Sequence, residues 1–213
     1  MLLLLINIIL KGIHALEKCV QLANFKIHRQ TFRWSCGMSC ALMVLDWYGM
    51  ICDYNELSLA GFRKPSKYNP FKLPGGKLPS ATSLRQLIDV FESVGGFDLY
   101  STFDCEKTVH EVFTLQYIKK TLKDGAPIII GWKSWKDRDV HWQVIVGYDA
   151  AEPEGESDGV IIVADPYDKS DQNHDGFGIY DAKRFIDNFT FGGFFPVEDL
   201  NEMCFLVAVP KQT

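Results

Sequence analysis

The sequence predicts an α+β fold in which a buried helix near the amino end packs on an antiparallel β-sheet. Helical patterns fill the first half of the chain, and short β-branched runs bounded by turn residues fill the second half. The two types do not alternate as they would in a parallel α/β fold. The chain has 213 residues, of which 47% are hydrophobic and 23% are charged. This composition is that of a globular protein with one ordinary core.

The first helices are predicted from their apolar pattern and from their ends. Residues 36–48 are apolar on nearly every side, which indicates a buried helix, and Gly49 is a natural residue to follow its end. Asp53 and Glu56 have the spacing of a capping box at the start of a short second helix. The buried helix is therefore the expected centre of the core.

Two more helices follow a proline-rich segment, residues 62–79, which is expected to be a long ordered loop. Thr82 or Ser83 caps the first of them, and the pair Gly95-Gly96 ends it. Thr114 caps the second. The predicted strands cover residues 127–130, 142–146, 160–163, 177–180 and 205–209, with a short helix around residues 183–188.

The first 25 residues are expected to form a helical extension ahead of the main domain. Their uncharged opening run ends at Lys11, which is about half the length of a membrane span. No positive charge precedes the run and no small-residue cleavage site follows it, which favours a packed helix over a secretory signal. A cytoplasmic location is therefore favoured over a secreted or membrane-anchored one.

Charge and motif content argue against several functional classes. The net charge of −5 does not suit a nucleic-acid-binding surface. The chain has no phosphate-binding loop, no dinucleotide-binding glycine motif and no zinc-type spacing of His or Cys, so no cofactor or metal is expected. Residues 171–176 match the first half of a calcium loop, but the twelfth position is Ala182, which favours a plain polar turn.

Cys36 is the candidate nucleophile. It stands where a loop meets the buried helix, and the partial positive charge at a helix start favours a thiolate. Gly37 beside it is expected to leave room for a substrate. Gln30, six residues earlier, has an amide that can donate to an oxyanion together with the backbone N–H of Cys36. The alternatives are a buried structural cysteine and an ordinary surface glutamine.

His141 and Asp165 are the candidate partners of the thiol. A thiolate nucleophile needs a histidine beside it, and a carboxylate can orient that imidazole. If Tyr148 faces Gly159 across the predicted hairpin, His141 and Asp165 lie nearly opposite each other at its far end.

The order of these residues resembles that of papain-like cysteine peptidases, most closely the bacteriocin-processing, double-glycine leader type. Residues 30–37, the strand at residues 141–149 and the segment at residues 164–166 resemble the three motifs of that family, and the likeness covers residues 26–210. It implies a papain-like cysteine peptidase domain at residues 26–213. It also implies that the domain cleaves a peptide or protein substrate through an acyl-enzyme.

By this resemblance Cys36 attacks the peptide bond, Gln30 serves the oxyanion hole, His141 acts as acid and base, and Asp165 orients His141. Two other functions stay open. One is acyl transfer of the transglutaminase-like or phytochelatin-synthase-like type, and the other is a papain-like module that only binds peptides.

The remaining cysteines and tryptophans have less specific expectations. The irregular spacing of the six cysteines indicates free thiols, and a core position is expected for Cys40, Cys52, Cys105 and Cys204. Trp132, Trp135 and Trp142 flank the loop ahead of His141, where they are expected either to line a groove for an extended peptide or to belong to the core.

Overall fold

A computed structural model of the chain describes residues 19–64, 82–105, 109–133, 140–150, 159–167, 175–191 and 203–212. The helices are α1 (Cys36–Trp47), α2 (Glu56–Gly61), α3 (Leu84–Val94), α4 (Val109–Val112), α5 (Leu115–Lys123) and α6 (Ala182–Phe191). The strands are β1 (Cys19–Gln21), β2 (Phe97–Ser101), β3 (Ile128–Lys133), β4 (Val140–Asp149), β5 (Val160–Ala164), β6 (Phe177–Asp181) and β7 (Met203–Pro210). Nearly all of the predicted loop at residues 62–79, most of the calcium-like segment and Trp135 lie outside the described residues.

The strands of the described residues form one antiparallel sheet in the order β2-β7-β3-β4-β5-β6. Strand β1 pairs with the end of β4, beyond the part of β4 that pairs with β3. The last strand of the chain thus lies between β2 and β3, and the β4–β5 hairpin lies well inside the sheet. The predicted α+β fold with an antiparallel sheet is confirmed.

Helix α1 is the buried helix that the sequence predicted. Every residue from its first position to Leu45 is buried, and the helix contacts strand β4 and helices α2 and α3. Such a helix has no face for solvent, which explains why its sequence lacks the usual polar stripe. It ends as expected, because Gly49 has a φ of +69°, a conformation that favours glycine.

The helix caps agree with the sequence at two sites and differ at one. Ser83 caps α3 and Thr114 caps α5, each by accepting a backbone N–H with its side-chain oxygen. Asp53, however, does not cap α2. Asn55 does so instead, in a capping box with Ser58, because its side chain accepts from Leu57 and Ser58 at the actual helix start.

The amino-terminal part of the described chain belongs to the sheet. Cys19–Gln21 is a strand and not the end of a helix, and both Leu22 and Phe25 are buried in the core. Residues 1–18 lie outside the described residues, so a helix there and the division of the chain at residue 25 stay predictions.

The hairpin of β4 and β5 has a different register from the predicted one. Gly159 has a φ of +90° and precedes the strand, so that pairing begins with Asp149 opposite Val160, and Tyr148 faces Ile161. A β-bulge at Val146 then adds one residue to β4. Continuing this register places His141 diagonal to Asp165 and not directly opposite, which still keeps the two side chains in reach.

We expect Gly131→Ala in strand β3 to lower the free energy of unfolding by about 1–3 kcal/mol, because the added methyl group overpacks the core. A Cβ at this position would lie 2.9 Å from Cys204 Sγ and 3.0 Å from the Trp142 ring. Urea unfolding should show a lower midpoint with an unchanged m-value.

The matched control is Gly61→Ala, where an added Cβ meets nothing within 4 Å and φ is not in the left-handed region. Its midpoint should stay the same or rise. Equal midpoints for both variants would show that β3 can move away from Trp142 at little cost.

Candidate active site

Cys36 is the first residue of α1 and is only 6% exposed. Ser35 precedes it as the N-cap residue, but its side chain does not cap the helix. The free backbone N–H groups of the first turn and the thiol therefore share the same end of the helix. This position at the start of the buried helix is the one that the sequence predicts for Cys36.

His141 near the start of β4 is bonded to Asp165, which directly follows β5. The distance from His141 Nε2 to Asp165 Oδ1 is 2.7 Å, and the side chains are 25% and 12% exposed. Because Nε2 faces the carboxylate, the other ring nitrogen is left for a different partner. The structure thus brings together the histidine and the carboxylate that the sequence paired.

Asp165 is held by more than the imidazole. Gln143 Nε2 donates to its Oδ2 at 2.7 Å, and the backbone N–H of Tyr167 donates to its Oδ1 at 2.8 Å. Burial alone would raise the pKa of Asp165, but these hydrogen bonds and the charge of His141 outweigh burial and lower the pKa. The carboxylate is therefore ionised and fixed in orientation.

The imidazole of His141 has a strongly perturbed affinity for its proton. Burial by itself lowers the pKa of His141, but the hydrogen bond to Asp165 and the nearness of both Asp165 and Cys36 raise that pKa to about 10. Cys36 is thus near enough to the imidazole to contribute to this pKa shift. The arrangement favours an imidazolium at neutral pH.

Gln30 lies close to this group through its backbone. Its N–H donates to the carbonyl oxygen of Pro166 at 3.0 Å, one residue after Asp165. Its side-chain Nε2 donates to the carbonyl oxygen of Phe32 at 2.9 Å, while its Oε1 is buried and has no hydrogen-bond partner among the described residues. The loop that carries Gln30 therefore joins the Asp165 side of the site to the start of α1.

Gly37 is needed for packing and not for substrate access. A Cβ at this position would lie 3.1 Å from Thr82 Cβ and 3.3 Å from Trp142 Cδ1, and the glycine is buried. The Trp142 indole N–H donates to the Thr82 carbonyl oxygen at 2.9 Å, and the side chain is 1% exposed. The expectation that Gly37 leaves room for a substrate was wrong, and Trp142 belongs to the core and not to an open groove.

The other cysteines separate into buried and exposed thiols. Cys40 and Cys204 are buried as expected, and burial raises the pKa of Cys204 to about 12 and the pKa of Cys40 well above its ordinary value. Cys52 is exposed, with a φ of +43° that places it in a turn, so its expected core position was wrong. Cys105 is partly buried, and Cys19 is exposed.

Two residues around the site were missed in the sequence. Gln143 follows His141 by two positions, so the alternation of a strand puts it on the same face, and this signal was available. The spacing of Glu56 predicts only a helix cap, whereas in the structure its buried carboxylate bonds to the loop before Cys36. No local pattern identifies such a contact, because its partners are distant in sequence.

The described part of the chain shows neither a metal centre nor a membrane-crossing helix. No three His, Cys, Asp or Glu side chains converge there as ligands, and no helix there has the length and apolar character to span a bilayer.

Comparison with known proteins points to one group. A model of the Peptidase_C39-like family matches residues 20–189. The fold is similar to the crystal structure of a protein from Bacillus anthracis described as a "putative C39-like peptidase", with a TM-score of 0.57 and 13% sequence identity. That match covers 92% of this chain and 99% of the other. No curated protein sequence matches significantly.

We expect Asp165→Asn to lower the pKa of His141 below its wild-type value of about 10, because the imidazolium loses its closest negative charge. The measurement is an NMR titration of the His141 ring. Since the folded pKa lies above the unfolded value of about 6.5, His141 stabilises the folded protein below that pH. This stabilisation should fade between pH 6.5 and 10, and the loss should be smaller in Asp165→Asn.

The matched control is the second histidine–carboxylate pair, His28 and Asp46, in which Nε2 and Oδ2 are 2.8 Å apart. Asp46→Asn should leave the His141 titration where it is. A wild-type His141 that titrates near 6.5 would contradict the interpretation of the pair.

Proposed function

The chain belongs to the Peptidase_C39-like family, which supports a cysteine peptidase at family level, and from that premise we propose that it cleaves a peptide bond through an acyl-enzyme on Cys36. One observation carries the proposal. His141 Nε2 lies 2.7 Å from the Asp165 carboxylate, which leaves the other ring nitrogen for Cys36, whose nearness contributes to the raised pKa of His141. A thiol near an imidazole that a carboxylate holds supports nucleophilic catalysis.

In the proposed resting state Cys36 is a thiolate and His141 is an imidazolium. Asp165 supports this charge separation, because its ionised carboxylate holds the ring and raises the pKa of His141. Gln143 and the Tyr167 backbone keep Asp165 in place, so the ring has a single orientation. The imidazolium is thus in place as a proton donor before a substrate arrives.

The first half of the reaction forms the acyl-enzyme. The Cys36 sulfur attacks the peptide carbonyl carbon, and the carbonyl oxygen becomes an oxyanion. The backbone N–H of Cys36 and the side-chain amide of Gln30 donate to that oxyanion. His141 then gives its proton to the leaving amine nitrogen, the C–N bond breaks, and the acyl group stays on sulfur.

The second half hydrolyses the thioester. Neutral His141 takes a proton from water, and the resulting hydroxide attacks the acyl carbon. Collapse of the second tetrahedral intermediate expels the Cys36 thiolate and releases the new carboxylic acid, which gives its proton to water to become a carboxylate. The imidazolium is then restored beside the thiolate, so no outside proton donor is needed.

We expect Cys36→Ala to abolish cleavage and Cys40→Ala to retain it, although the two thiols are one helical turn apart. Cys40 is fully buried, and burial raises its pKa well above the ordinary value, so it stays a neutral thiol. The measurement is cleavage of a peptide library followed by mass spectrometry of the products. Turnover by Cys36→Ala would refute the nucleophile.

We expect Gln30→Ala to lower kcat by about 100-fold with little change in KM, because an oxyanion donor acts mainly in the transition state. The matched control is Gln21→Ala, which truncates an exposed glutamine on β1 and should leave both constants unchanged. An unchanged kcat for Gln30→Ala would mean that its amide serves only the loop.

A further inference from the structure

Glu56 is a buried carboxylate that the peptidase reaction described above does not use. It is the first residue of α2 and is only 6% exposed. Its oxygens accept the backbone N–H of Thr31 at 2.9 and 3.1 Å, the Ser35 hydroxyl at 3.0 Å and the Ser39 hydroxyl at 2.5 Å. A single side chain therefore collects donors from three separate points.

These three points surround the candidate nucleophile and its oxyanion donor. Thr31 directly follows Gln30, Ser35 directly precedes Cys36, and Ser39 lies in the first turn of α1. Residues 30–35, which we call the Gln30 loop, are thus fastened to the helix through one carboxylate. In addition, Ser35 Oγ is within hydrogen-bonding distance of the Phe32 carbonyl, at 2.9 Å, which closes the loop on itself.

The charge of Glu56 has no cationic side chain as its partner among the described residues. A buried carboxylate without compensation is costly, so its stabilisation has to come from neutral donors and from helix ends. The neutral donors are the N–H and hydroxyl groups just named. The helix ends also contribute, because Glu56 lies in the first turn of α2, beside the start of α1. A buried carboxylate at position 56 is explained if its hydrogen bonds are needed to hold the loop and the start of α1 together.

We propose that Glu56 is a positioning residue for the peptidase reaction. It fixes the Gln30 loop against the start of α1, so that the Gln30 amide and the backbone N–H of Cys36 face the same oxyanion. This inference rests on the roles of Cys36 and Gln30 given under the proposed function. Glu56 itself does not touch the substrate.

The expected effect is on kcat and not on KM. An oxyanion exists only in the transition state and the intermediates, so a misplaced donor costs little in the ground state. A shift of about 1 Å in a supporting group is enough to slow catalysis by as much as about 100-fold.

The test is Glu56→Gln, which keeps the size and places an amide among groups that all donate to the carboxylate. The Thr31 N–H and the two serine hydroxyls then compete for one carbonyl oxygen. We expect kcat to fall by roughly tenfold or more, with KM within about twofold. This fall is smaller than the loss of about 100-fold or more that follows when an oxyanion donor is removed entirely.

The matched control is Asp89→Asn in α3. Asp89 is also a buried carboxylate, 4% exposed, but it binds Lys64, at 2.9 Å from Nζ, and it has no bond to the Gln30 loop among the described residues. Both variants should unfold at lower temperature, and only Glu56→Gln should lose kcat when both are assayed well below their melting temperatures. An equal loss of kcat in both would overturn the proposal, since general loosening would then explain it.

A double-mutant cycle with Gln30→Ala tests the route of the effect. If Glu56 acts through Gln30, Glu56→Gln should cost much less kcat in the Gln30→Ala background than in the wild type. Independent, multiplicative losses would overturn the proposal. If Glu56→Gln does not fold, Ser39→Ala removes one of the bonds and should show a smaller fall in kcat, again absent in the Gln30→Ala background. Activity that survives Cys36→Ala would instead defeat the proposed function, whatever the result at Glu56.

Discussion

The close approach of helix α1 to strand β4 is the contact on which the geometry of the candidate site depends. Gly37 has no side chain, so the start of the helix packs directly against Thr82 and the Trp142 ring. The indole N–H of Trp142 holds that ring in place on the Thr82 carbonyl. Two of these packed residues are next to a functional candidate in the sequence, Gly37 to Cys36 and Trp142 to His141. Because protein cores are densely packed and yield little, the contact that fills the core also sets the separation of thiol and imidazole.

The Gln30 loop extends this constraint to the other side of the site. Two consecutive backbone N–H groups fasten it in different directions, one from Gln30 to the carbonyl oxygen of Pro166 and one from Thr31 to the Glu56 carboxylate. The first anchor is covalently adjacent to Asp165, and the second is bonded to the start of α1 through Ser39. A movement of either the β4–β5 hairpin or helix α1 would therefore also move the Gln30 loop. The site does not consist of independent side chains but of three segments that share their supports.

Much of the fold was predictable because its signals are local. The cap at Ser83, the buried character of α1 and the hairpin that brings His141 to Asp165 all depend on residues that are near each other in sequence or pair across one turn. The exact register was not predictable, since neither the bulge at Val146 nor the turn at Gly159 has a pattern of its own. Strands β1 and β2 were not predicted because both are short and their partners lie more than 100 residues away. The contacts of Glu56 were the least predictable, because its hydrogen-bond donors are distant in sequence and are brought together only in the folded chain.

The two buried carboxylates of the site differ in how their charge is balanced, and this difference separates their roles. Asp165 bonds to an imidazole, so its negative charge is matched by a positive one and it controls where the proton of His141 resides. Glu56 bonds to backbone and hydroxyl donors that cannot take up a charge, so it has no influence of that kind on a proton. What it can do is fix geometry, since several donors must converge on two oxygens to keep its charge buried. One carboxylate therefore sets the protonation of the site, and the other sets its shape.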